Sequence, residues 1–193
     1  MYKLDQIVIF CGGFGTRLKK ISKGVPKSLI LINNKAFIEI LIQNFSRFNF
    51  KKVLLLCHYK GNKFFKKYHN QRINGLLIKC IIEKEPLGTL KSLTNAKKSL
   101  ENFFLLSNGD TFFDINISNL YKKFDYKKNL MSLGAAEIST NDKQRYQNFL
   151  VKNKLLKKVY YSKKKTQIIN SGLAIVNKKA LNYAKKDFNS FDK

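Results

Sequence analysis

Short apolar runs alternate with amphipathic stretches along the first two-thirds of the chain. Residues 6–11 (QIVIFC) form a continuous apolar run followed by glycines, the pattern of a strand buried on both faces. In 36–48 the apolar positions Phe37, Ile40, Leu41, Phe45 and Phe48 recur at helical spacing. Residues 53–57 (VLLLC) predict a second buried strand, 62–69 a helix, 76–82 a third strand, 89–100 a helix and 103–107 a fourth strand. Strands alternating with helices predict an α/β fold, a mainly parallel sheet with helices on both faces. Right-handed crossovers align the carboxyl ends of its strands along one edge, where such sheets bind ligands. Beyond residue 125 the alternation weakens. Residues 130–138, 155–161 and 168–176 read as strands, with a turn at 140–143, and 178–193 begins as a helix. With no internal repeat and no Pro/Ser-rich linker, residues 1–193 read as one domain.

Composition narrows this picture. Of 193 residues, 44 % are hydrophobic, which excludes a disordered or collagen-like chain. No apolar run reaches the roughly 20 residues of a membrane helix, and the start lacks the pattern of a secretory signal, so a cytoplasmic protein without a membrane partner is expected. Cys11, Cys57 and Cys80 each lie in or beside apolar runs and read as reduced core thiols. The formal charge of +26 comes from 38 Lys and Arg, of which only Arg17, Arg47, Arg72 and Arg145 are arginine. A nucleic-acid reader concentrates such residues on one stripe and relies on arginine. Here lysine is spread over the whole chain, so sequence-independent attraction to polyanions is expected and no specific nucleic-acid partner.

Four segments carry candidate chemistry. Gly12-Gly13-Phe14-Gly15-Thr16-Arg17-Leu18 follows the first strand. Its glycines permit close backbone approach to an anion, and Arg17 offers a planar fork for phosphate. The spacing is neither that of a dinucleotide fingerprint nor of a Walker A loop, and a plain strand-to-helix turn would use the same glycines. Lys27 follows Pro26, which restricts where it can point. In Glu83-Lys84-Glu85-Pro86-Leu87-Gly88-Thr89 the amides at Gly88 could read a base edge, although Thr89 equally suits a helix cap. Asn108-Gly109-Asp110 lifts a carboxylate from a strand end, in a position to hold Mg²⁺. An Asn-Gly hairpin between LLS and TFF is the competing reading. His58 and His69 have no partner at metal-ligand spacing.

In this order, GGxGTRL, Pro-Lys, ExxPLGT and NGD, the chain resembles the sugar-phosphate nucleotidyltransferase family over residues 6–115. It is most similar to the D-glycero-D-manno-heptose 1-phosphate guanylyltransferase branch in 83–89 (EKEPLGT) and 108–115 (NGDTFFDI). The resemblance implies a Rossmann-like nucleotide-binding fold. It also implies that Gly12, Gly13, Gly15, Thr16 and Arg17 wrap a triphosphate, that Lys27 neutralises phosphate charge and that Gly88 lies against the base. Asp110 would hold Mg²⁺, and Asn170 and Gly172, with Lys163 as a cation, would contact the sugar phosphate. The implied reaction is attack of a sugar 1-phosphate on the α-phosphorus of an NTP, here GTP with heptose 1-phosphate, releasing pyrophosphate. Thymidylyl or uridylyl transfer to a hexose 1-phosphate, a non-catalytic nucleotide-binding remnant and a basic nucleic-acid-binding protein are the alternatives. The chain departs from the family pattern at Leu90 and Lys91, where small residues are usual, and at Gln147, where glycine is. It also shows no counterpart of the family's C-terminal segment with a second metal-binding aspartate, so Mg²⁺ and NTP binding with slow turnover is expected.

Overall fold

The computed structural model describes residues 3–13, 24–139, 147–161 and 164–183. Its centre is a nine-stranded sheet. β1 (Gln6–Phe10), β4 (Lys52–Cys57), β6 (Leu76–Ile82) and β7 (Phe103–Asn108) run parallel in the spatial order β7-β1-β4-β6. β11 (Thr166–Asn177) lies antiparallel against β7 and carries β8 (Met131–Ser139) and β9 (Gln147–Lys152). β10 (Leu155–Tyr161) closes that end, and the two-residue β5 (Arg72–Ile73) the other. A separate small hairpin joins β2 (Leu31–Ile32) to β3 (Lys35–Ala36).

Strand alternation sorts the core into two layers. Ile7, Ile9, Val53, Leu55, Ile78 and Leu105 pack with α1 (Phe37–Phe45), α2 (Gly61–Tyr68) and α4 (Ile117–Lys122). Val8, Leu54, Leu56, Phe104 and Leu106 face the other way, onto Leu90 and Leu93 of α3 (Thr89–Asn95). The fold is therefore the mainly parallel sheet with helices on both faces that the apolar runs predict. The three cysteines are free and buried, as expected. No described helix is long and apolar enough to cross a membrane.

Several expectations are corrected in detail. The helix predicted over 36–48 ends at Phe45, and that over 89–100 stops at Asn95, followed by a 3₁₀ turn over Lys97–Ser99. Residues 178–183 form a 3₁₀ segment, Lys178–Tyr183. The Asn-Gly hairpin does not form: residues 111–113 are not a strand, and Gly109 N–H instead donates to the Phe10 carbonyl at 2.9 Å, extending the parallel ladder. The turn read at 140–143 and residues 184–193 lie outside the described residues.

Connectivity fixes where a ligand can enter. β1 leads outward to β4 and then β6, after which the chain returns across β1 to β7. The order therefore reverses between β1 and β7, and the crevice beyond their carboxyl ends is the topological switch point.

Candidate active site

Three ladder bonds continue past the strand ends and set the floor of that crevice. Cys11 N–H donates to the Leu56 carbonyl at 2.7 Å, Glu83 N–H to the Cys57 carbonyl at 2.7 Å, and Gly109 N–H to the Phe10 carbonyl at 2.9 Å. They hold Gly12, His58, Glu83 and Asp110 around one cavity of about 400 Å³, which Gly13, Lys27 and Gly88 also line. Residues far apart in sequence thus meet because parallel strands end at one edge. Gly15, Thr16, Arg17 and Lys163 lie outside the described residues.

Two glycines here are demanded by space and backbone. A Cβ at Gly109 would lie 2.5 Å from the Phe10 carbonyl oxygen and 2.9 Å from Ser28 Oγ, so any side chain would push Asp110 off the strand end. Gly88 has φ +76°, a left-handed value that favours glycine, and it begins α3.

Lys27 and Asp110 meet directly. Pro26 opens a 3₁₀ turn over Lys27–Leu29, and the Lys27 ammonium donates to Asp110 Oδ2 at 3.0 Å. Their side chains are 26 % and 42 % exposed, so the pair faces solvent and a ligand could reach both. Thr111 Oγ1 donates to Asp110 Oδ1 at 3.3 Å. Among the described residues no three His, Cys, Asp or Glu side chains cluster to cage a metal. One hard, accessible carboxylate fits Mg²⁺ held jointly with substrate phosphates, because Mg²⁺ keeps waters and commonly relies on one or two carboxylates.

The group that motif reading left without a role is Glu83. It is only 7 % exposed although it lines the cavity, and its Oε1 has no hydrogen-bond partner among the described residues. Burial pushes its carboxyl above the usual range, opposed by the Ser92 hydroxyl and the charge of His58. A desolvated carboxyl oxygen without a donor is costly to keep, which makes Glu83 a candidate for contact with a ligand. His58 Nδ1 contacts the Glu83 carbonyl at 3.1 Å, and its Cβ would stand 3.2 Å from a Cβ at Gly12. His58 therefore shapes the wall under the glycine turn. His69 accepts from Cys80 N–H at 3.1 Å within the fold, away from the cavity lining.

A second, smaller cavity of about 90 Å³ adjoins the first and shares Phe10, Thr89 and Asn108 with it. Asn170 and Gly172 line it, with Asn170 Oδ1 accepting from Gly172 N–H at 2.9 Å. Gly172 has φ +80°, and a Cβ there would lie 2.9 Å from Asn108 Nδ2. Thr89 Oγ1, between the two cavities, is buried without a partner among the described residues. The departure at Leu90 leaves this wall intact: Leu90 points into the α3-side core, and Lys91 is exposed.

Residues 6–154 match the Nucleotidyl transferase family. The chain is 37 % identical over 179 residues to the D-glycero-alpha-D-manno-heptose 1-phosphate guanylyltransferase of Campylobacter jejuni, covering 92 % of this chain and 78 % of that one. It is 29 % identical over 119 residues to the enzyme of that name from Aneurinibacillus thermoaerophilus, covering 61 % of this chain and 51 % of the relative. The crystal structure of HddC from Yersinia pseudotuberculosis complexed with GMP-PN superposes with a TM-score of 0.82 at 27 % identity, over 98 % of this chain and 84 % of that one.

Proposed function

Because the chain belongs to the nucleotidyl transferase family, we propose that it transfers a guanylyl group from GTP to a sugar 1-phosphate, with heptose 1-phosphate as the acceptor. An acceptor phosphate oxygen forms a bond to the α-phosphorus, the bond from that phosphorus to the α–β bridging oxygen breaks, and pyrophosphate leaves with the electron pair. The attacking oxygen is already anionic, so the protein's task is to position the two phosphates and neutralise their charge.

The observation that carries the choice of base is the Glu83 carboxylate, buried in the larger cavity with Oε1 unpartnered among the described residues. Guanine offers two adjacent donors, N1–H and the 2-amino group, that a carboxylate can accept together. Uracil and thymine offer one N–H flanked by carbonyls, which a carboxylate repels. Adenine and cytosine place a ring acceptor beside their amino group. Gly88 and the start of α3 lie at the same wall, suited to contact the base.

The remaining roles follow the sequence motifs. Gly12, Gly13, Gly15, Thr16 and Arg17 enclose the triphosphate, Lys27 neutralises phosphate, and Asn170, Gly172 and Lys163 hold the sugar phosphate. Asp110 would hold Mg²⁺ together with the GTP phosphates, where the ion supplies charge neutralisation at the reacting centre. The free buried thiols support a reducing, cytoplasmic setting.

A pyrophosphate-release screen of the four NTPs against several sugar 1-phosphates with Mg²⁺ tests the proposal. GTP with heptose 1-phosphate is expected to give the fastest release. Faster release with UTP, dTTP, CTP or ATP would overturn the assignment of the base.

A further inference from the structure

The geometry points to a competition at the strand end: Lys27 and the divalent cation contend for Asp110, so the cation enters with the nucleotide rather than ahead of it. This rests on the proposed nucleotide site and adds an order of binding to it. Among the described residues, Asp110 and Glu83 are the only acidic residues lining the larger cavity. Glu83 lies at the wall assigned to the base, and Asp110 Oδ2 already accepts from the Lys27 ammonium at 3.0 Å. Among the described residues no group of three or more His, Cys, Asp or Glu side chains forms that could hold a metal by itself.

A dication approaching the free protein must therefore displace an ammonium from the more exposed of these two carboxylates and then remain beside that positive charge. A polyphosphate changes both terms. It gives Lys27 other oxygens to bind, which releases Asp110, and its own oxygens complete the coordination of the metal. Proline before Lys27 limits the alternatives open to the backbone, so the side chain exchanges one nearby anion for another without rebuilding the turn. Metal and nucleotide then favour each other's binding, and the coupling is reciprocal by thermodynamic necessity.

The two partners can be separated because removing each one should tighten the binding of a different ligand. Lys27→Met should tighten Mn²⁺ binding to the nucleotide-free protein by about two- to fivefold, the scale of one partly exposed ion pair. Asp110→Asn should tighten binding of metal-free GTP in chelator by about the same factor, since Lys27 no longer has to leave a carboxylate. A misfolded variant cannot gain affinity, so each gain also reports an intact site. Mn²⁺ binding is read by the loss of the free-ion electron paramagnetic resonance signal, and GTP binding by calorimetry, without any turnover. Both gains together support the competition. Unchanged Mn²⁺ affinity in Lys27→Met or unchanged metal-free GTP affinity in Asp110→Asn, with Mn·GTP still bound by the unsubstituted protein, overturns it and leaves the nucleotide site standing. Failure of the unsubstituted protein to bind GTP with or without Mn²⁺ overturns the nucleotide site itself, and the competition with it.

Discussion

Glu83 shows how one side chain can oppose folding while serving a ligand. Burial raises its pKa, so in a window just above the ordinary glutamate value the folded chain holds a proton that the unfolded chain has released. Stability contributed by that proton is full below the ordinary glutamate pKa of about 4.3 and is lost as pH rises through the raised folded value. Glu83→Gln should therefore melt higher than the unsubstituted protein at pH 8 but not at pH 4, by about 2–4 °C for each kcal/mol released. Thermal scans across pH read this directly. The same substitution should weaken GTP about tenfold or more and flatten the preference among bases, because a charge-assisted contact is lost. Gly109→Ala should act differently. Its Cβ would collide with the Phe10 carbonyl, so stability should drop by about 1–3 kcal/mol, the usual range for overpacking, in a denaturant titration. Residue identities at the site were legible in the sequence wherever a glycine, proline or aspartate carries a local signature. Glu83 was not, because its meaning lies in burial beneath three strand ends and nothing beside it in the chain announces that.

At the scale of elements, legibility follows how completely each piece is buried. β1, β4, β6 and β7 announce themselves because strands covered on both faces read as unbroken apolar runs. β9 and the two-residue strands of the small hairpin escape notice, since their pairing depends on tertiary partners. α4 is a six-residue helix whose start is fixed by Asn116 Oδ1 accepting from Asn119 N–H at 3.0 Å, too short to impose a period. α3, with seven residues, is also too short for stability of its own and depends on packing. Leu93, fully buried there against the sheet, supplies much of that hold. Leu93→Ala should cost about 2–5 kcal/mol in urea unfolding. GTP affinity should fall as well, because Gly88 and Thr89 begin this helix and line the cavity.

For the whole molecule, the net charge of +26 acts as a field rather than as a site. Duplex DNA of any sequence should bind at low salt and dissociate at physiological salt, with no preference surviving in competition assays. A sequence-specific complex stable at physiological salt would contradict this account. The topology has a temporal consequence as well. Residues 12–13, 27, 83–89, 108–110 and 170–172 converge on neighbouring cavities only when β7 is seated between β1 and β11. Such pairings close long loops before they bring any reward, which makes folding slow. During synthesis the emerging chain must therefore seat β7 before the larger cavity exists and β11 before the smaller one does, so a nucleotide can steady the fold late but cannot guide its early steps.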